Sequence, residues 1–106
     1  MAQASNVTFG YWNIRAGPRG NCNRYILNMA GVNFTDKRYD IVNNPAEWKE
    51  QDKQSLGLDF PNLPYIIDGD FKITESKAVS VYICDKWAPQ LLGRTPEARA
   101  KIIMYQ

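Results

Sequence analysis

The sequence predicts an α/β sandwich in one domain, a mixed four-stranded sheet in βαβ-α-ββα order followed by the start of a further helix. Three observations carry this. The 106-residue length admits a single hydrophobic core. Val7 to Trp12 joins Val, Thr, Phe, Tyr and Trp, residues suited to a pleated surface, ahead of a helical segment. The second half holds a hairpin signal followed at once by an amphipathic helix.

Each element follows from local chemistry. Val7 to Trp12 reads as the first strand, and Asn13 to Asn23, with Gly17-Pro18 and Gly20, as a turn. Arg24 to Ala30 offers Tyr25, Ile26, Leu27, Met29 and Ala30 at helical spacing, with Gly31 as the stop signal. Asn33 to Val42 alternates Phe34, Lys37, Tyr39 and Ile41 with polar neighbours, giving a second strand. Pro45 to Ser55 has Trp48 as its one large apolar residue, so a weak, solvated, irregular and mobile helical segment is expected.

Tyr65 to Ile67, Asp68-Gly69 and Phe71 to Ile73 read as an antiparallel hairpin with a type I′ turn. From Thr74 as N-cap, Val79, Tyr82, Ile83 and Trp87 form one apolar helical face that runs until Pro89. A right-handed βαβ crossover therefore precedes a hairpin and a closing helix, the layout of a thioredoxin-like sandwich. Thr95, Pro96 and Glu97 start a further helix, and Gln106 supplies no stop, so the sequence is expected to continue into further structure.

Composition excludes several classes of function. Thirteen Lys plus Arg stand against 11 Asp plus Glu, with Lys37-Arg38 the longest basic run, so nucleic acid is not an expected partner. The apolar stretches around Leu63 to Ile67 and Ile102 to Tyr105 fall well below the ~18 residues of a membrane span. The absence of histidine removes His-based acid/base chemistry, Ser-His-Asp and Cys-His pairs and mixed Cys/His zinc sites. No metal or prosthetic group is expected, and chemistry must draw on Tyr, Cys, Lys, Asp or Glu. Cys22 and Cys84 form no C-x-x-C motif, and Met1 to Asn6 lacks the apolar core of a secretory signal, so a reducing, cytoplasmic setting is expected.

Three motifs stand out: Gly10-Tyr11-Trp12-Asn13-Ile14-Arg15, Leu56 to Tyr65 (LGLDFPNLPY) with Ile67-Asp68-Gly69, and Lys72-Ile73-Thr74-Glu75-Ser76. Over roughly Val7 to Trp87 the sequence resembles the amino-terminal, glutathione-binding domain of mu-class glutathione transferases. The resemblance implies a thioredoxin-like domain over residues 1–88, with 89–106 as a linker and the first turns of an all-α domain. It implies a detoxifying transferase that uses glutathione as co-substrate and needs no other cofactor. Its partners would be a small electrophile and, in the full-length protein, a second copy in a homodimer.

By the same resemblance, Tyr11 is the catalytic residue and donates a hydrogen bond to the sulfur of glutathione. The physics is general. A thiol with pKa ~8.5 is only a few per cent thiolate at neutral pH. Lowering that pKa by ~2 units takes about 2.7 kcal/mol, which a charge-assisted hydrogen bond of ~1.5–3 kcal/mol largely supplies. Taken alone, Tyr11 reads first as a packed strand-end residue, and its motif neighbours turn the reading towards the site.

The resemblance assigns Trp12, Trp48, Lys53 and Asn62 to the glycyl end and backbone of the tripeptide. It assigns Leu63, turned by a cis Pro64, to strand-like pairing with the cysteinyl group. Glu75 and Ser76 match the pair that receives the γ-glutamyl group, where helix-start N–H groups favour a carboxylate; helix capping explains Thr74-Glu75-Ser76 as well. Phe60 matches a residue that inserts into the partner subunit.

Two other readings remain beside the transferase. The chain could be a non-catalytic, transferase-like module that docks within a larger assembly. Alternatively, Cys22, ahead of a helix start and near Arg19 and Arg24, could carry glutathione-dependent thiol-disulfide exchange. Cys84 reads as a core residue. The polar stretch between Arg15 and Arg24 is longer than the family's entry into its first helix and adjoins the thiol site.

Overall fold

The computed structural model describes residues 6–14, 18–93 and 95–104. Met1 to Ser5 of the leader reading, loop residues Arg15, Ala16 and Gly17, and Tyr105 and Gln106 at the chain end lie outside the described residues. Strand β1 is Val7–Trp12, as its composition predicts. It pairs in parallel with β2, Thr35–Tyr39, and antiparallel with β3, Tyr65–Asp68. Strand β4, Phe71–Thr74, pairs antiparallel with β3 and completes a four-stranded sheet in the order β2-β1-β3-β4. The predicted mixed sheet is therefore present.

The first helix, α1, spans Pro18–Met29 and starts six residues before the predicted Arg24. Pro18 occupies the first helical position, where its missing N–H costs nothing. Gly20 marks a close approach, not a turn: a Cβ added there would lie 2.1 Å from Tyr11 Cγ. The end is as expected. Gly31 has φ of 71°, its N–H donates to the Asn28 carbonyl, and the Val32 N–H donates to the Leu27 carbonyl, the paired bonds of a Schellman motif.

Strand β2 is shorter than the predicted Asn33 to Val42. Asp40 Oδ1 accepts from the N–H groups of Val42 and Asn43, which turns the chain away from the sheet and leaves Ile41 and Val42 exposed. The next segment corrects the expectation of an irregular, mobile stretch. A π-helical turn, Glu47–Asp52, runs into a short α2, Lys53–Ser55. Trp48 is 3% exposed and packs with Tyr39, Leu58 and Tyr65 in a second core cluster. One large aromatic anchors what a count of apolar residues leaves unanchored.

The hairpin forms, with its turn shifted. Asp68 pairs with Phe71, so Gly69 and Asp70 are the central residues, and of these only Gly69 has positive φ, at 61°. That is the pattern of a type II′ turn in place of the expected type I′. Helix α3 is Ser76–Trp87. Thr74 is the last residue of β4, not the N-cap: its hydroxyl donates to the Phe60 carbonyl, and Glu75 holds the cap position without a side-chain bond. A 3-10 turn, Pro89–Leu92, leads to α4, Pro96–Met104, where Thr95 Oγ1 accepts from the Ala98 N–H as the sequence predicts.

The main core joins one face of the sheet to α1 and α3 through Phe9, Tyr11, Leu27, Ile66, Val79 and Ile83. The second cluster, around Tyr39, Trp48 and Tyr65, holds the segment 47–55. Gly10 lets the Tyr65 ring lie directly on β1, since a Cβ there would stand 2.2 Å from Tyr65 Cε2. Gly10→Ala is therefore expected to destabilise the chain by about 1–3 kcal/mol through overpacking, measured as a lowered urea midpoint.

Burial, together with hydrogen bonds to Asp52 and Tyr65, raises the Tyr39 phenol above its ordinary value of 10.0, and burial raises Tyr65 as well. The folded state thus prefers both phenols neutral. Their stabilisation is complete below the unfolded pKa and declines as pH rises above about 10. Urea titrations between about pH 9 and about pH 11 should show falling stability, with a shallower fall in Tyr39→Phe.

Candidate functional site

Tyr11 lies at the carboxyl end of β1, next to the last residue, with its ring seated on Gly20 of α1 and only 8% of its surface exposed. Arg24, one turn further along α1, holds this strand end. Its guanidinium donates to the carbonyls of Tyr11 and Trp12 at 3.4 and 3.3 Å and stands 5.6 Å from the centre of the Tyr11 ring. It also pairs with Asp36 of β2 at 2.9 Å. A buried cation thus fixes the backbone of both residues of the Tyr-Trp motif.

The start of α3 is tied to the same helix. Asn23, fully buried, donates from Nδ2 to the Ser76 carbonyl at 3.0 Å and to Ser80 Oγ at 2.7 Å. Its Oδ1 is buried without a hydrogen-bond partner among the described residues. Glu75 immediately before has φ of 76° and ψ of 119°, a backbone conformation that an L side chain rarely adopts. Its side chain is exposed beside a concave surface of about 420 Å³ shared with Phe60, Lys72 and Ala78.

Leu63 and Pro64 are joined by a cis peptide bond, as the resemblance implies. Leu63 is half-buried and packs against both core clusters, so it sits between Tyr11 and the aromatic group of Tyr39, Trp48 and Tyr65. Trp12 likewise touches both clusters, and its ring meets Tyr39 edge-on at 6.4 Å. Asn62 Oδ1 accepts from the Leu63 N–H at 2.9 Å, so the amide assigned to ligand pairing already has an internal partner. Lys53 is exposed at the start of α2. Trp48 is buried instead, stacked on Tyr65 at 5.8 Å, so most of its surface serves packing.

Cys22 is exposed within the second turn of α1, not ahead of a helix start, which removes the helix-dipole argument for its reactivity. The neighbouring Arg24 is engaged with Asp36 and the strand-end carbonyls. The side chain of Arg19 lies outside the described residues. Cys84 is buried, as expected, and burial pushes its thiol pKa up. Phe60 is 81% exposed while its carbonyl is pinned by Thr74, so the loop is fixed and the ring projects. Among the described residues no group of three or more Cys, Asp or Glu side chains is placed to hold a metal ion, and no helix is long and apolar enough to cross a membrane.

Residues 7–85 match the family described as "Glutathione S-transferase, N-terminal domain". The chain belongs to that family. Its curated relatives include a class-mu 26 kDa isozyme of Schistosoma mansoni, 41% identical over 92% of this chain and 42% of the relative. They also include glutathione S-transferase Mu 4 of Mus musculus, 40% identical over 91% of this chain and 44% of the relative. A glutathione S-transferase of Dermatophagoides pteronyssinus is 45% identical over 94% and 45%. The chain therefore spans under half the length of these relatives. Among solved structures, the glutathione S-transferase Blo t 8 is 35% identical, with a TM-score of 0.66 over 88% of this chain and 40% of that one. A nematode transferase of C. elegans, 23% identical with a TM-score of 0.71 over 93% and 44%, shares the fold.

Sequence reasoning about the transferase domain misses four supports of the candidate site. Arg24 and Asn23 were hidden because α1 was predicted to start at Arg24, which left Asn23 in a turn. Tyr39 and Asp52 were hidden because polar atoms paired in a core leave no hydropathy pattern. The positive φ of Glu75 carries a further expectation. Glu75→Gly relieves the backbone whereas Glu75→Ala does not, so the Gly variant should be more stable than the Ala variant by about 1 kcal/mol in urea unfolding.

Proposed function

We propose that this chain binds glutathione along the carboxyl end of β1 and the start of α3, and that Tyr11 favours its thiolate for attack on a small electrophile. The observation that carries this reading is the way α1 gathers both ends of the site, with Gly20 under Tyr11 and Asn23 holding Ser76. The tyrosine hydroxyl stabilises the anion by hydrogen bonding, which suits a chain without histidine. Leu63 pairs with the cysteinyl backbone once Asn62 releases its amide, and Asn62 then serves the ligand. Trp12, Trp48 and Lys53 serve the glycyl end. Ser76 and the α3 N-terminus receive the γ-glutamyl carboxylate, and Glu75 accepts from its ammonium group.

The electrophile site belongs to a second, helical domain that residues 89–106 would begin, and Phe60, projecting from its pinned loop, serves a homodimer contact. Such a protein acts in the cytoplasm. The docking-module reading predicts a chain that ignores the tripeptide.

Calorimetric titration of the chain with glutathione separates the two, because heat of binding supports the transferase reading and its absence supports the module. Ser76→Ala should weaken binding about 10-fold, the loss of one hydrogen bond to a charged group. Tyr11→Phe should leave affinity within about threefold while raising the pKa of the bound thiol by about 1–2 units, followed through the ultraviolet band of the thiolate. Cys22→Ser should change neither quantity; loss of thiol-disulfide exchange in that variant would restore the Cys22 reading.

A further inference from the structure

The segment 47–55 is held by polar bonds that converge on one phenol. Tyr39 is fully buried at the end of β2, and its hydroxyl lies 2.6 Å from Asp52 Oδ2 and 2.7 Å from the Tyr65 hydroxyl. The direction of the chain of bonds follows from its members. A carboxylate only accepts, so Tyr39 spends its one proton on Asp52, and Tyr65 must then donate to Tyr39. The result is a relay running from β3 through β2 to the last residue of the π-helical turn.

Around the relay, Trp48 stacks on Tyr65 at 5.8 Å and meets Tyr39 at 5.5 Å. Lys37 of β2 pairs with Glu47 at 2.6 Å and gives a second tie at the other end of the segment. The neighbour of Asp52 in the chain is Lys53, the exposed ammonium at the start of α2. A π-helical turn, short and poor in apolar residues, has little intrinsic stability, so its position rests on these contacts.

We infer that Tyr39 and Asp52 are positioning residues that set Lys53 and Trp48 for recognition of the terminal glycine carboxylate, making the buried relay a determinant of tripeptide length. This rests on the glutathione reading above, in which those two residues face the glycyl end. Breaking the relay frees the segment without touching Tyr11 or Ser76, and Leu63 keeps its packing on the Tyr11 cluster, so the cost falls on the glycine and spares the rest of the ligand.

The test compares glutathione with γ-glutamylcysteine, which lacks the glycine, by titration of the full chain. Tyr39→Phe and Asp52→Ala are expected to weaken glutathione about 10-fold while leaving γ-glutamylcysteine within about twofold. Asp52→Asn, which keeps an acceptor for the Tyr39 hydroxyl, should recover most of the loss. Asp52 is half-exposed, so its variants report even where Tyr39→Phe impairs folding. Hydrogen exchange should rise across 47–55 in Tyr39→Phe and Asp52→Ala and stay unchanged in α3. Equal losses for the two ligands, unchanged glutathione affinity or unchanged exchange would each overturn the inference while leaving glutathione binding intact. A wild-type chain that binds neither ligand overturns the proposed function and the inference together.

Discussion

One face of α1 is the constraint on which the rest of this structure depends. Gly20, Asn23, Arg24 and Leu27 follow one another at helical spacing, and each meets a different element. Gly20 lets the helix settle against the Tyr11 ring, Asn23 reaches the start of α3, Arg24 holds the end of β1 and pairs with β2, and Leu27 fills the core. A helix with a larger residue at Gly20 would stand off from the strand, and the other three contacts would lengthen with it. The geometry of both ends of the candidate site is thus set by a single surface that itself supplies no ligand contact in the proposed reading.

A second organising centre is polar. Tyr39, Tyr65 and Asp52 bring three oxygen-bearing side chains together beneath Trp48, and each bond leaves its partners satisfied where burial would otherwise penalise them. The two centres meet through Leu63 and Trp12, which pack on both clusters. Leu63 and Trp12 lie along the seam between an apolar core that fixes Tyr11 and a hydrogen-bonded one that fixes the segment 47–55.

How much of this the sequence discloses depends on the kind of force involved. β1 and α3 are legible because their apolar residues repeat with the period of the element, and the βαβ unit and the hairpin follow from crossover and turn rules. The start of α1 is not, since Gly17-Pro18 and Gly20 carry the chemistry of a turn while serving as helix start and contact point. The segment 47–55 escapes for the opposite reason: its anchor is one tryptophan and a carboxylate, too few apolar residues to register as a pattern. Candidate site residues such as Tyr11, Leu63 and Ser76 are legible through their motif neighbours. Asn23, Arg24, Tyr39 and Asp52 work from behind the site, through contacts between residues distant in sequence.

The outer strands of the sheet have a bearing on how these chains behave when crowded together. Among the described residues, β2 and β4 each leave one row of backbone donors and acceptors without a strand beside it, an invitation for another molecule to add on. β2 is short and reads Thr-Asp-Lys-Arg-Tyr, so a second copy laid parallel and in register against it would set Asp36, Lys37 and Arg38 each beside its own like charge. Parallel stacking along that border is therefore discouraged by the same Asp36 and Lys37 that, on opposite faces of the sheet, hold Arg24 and Glu47.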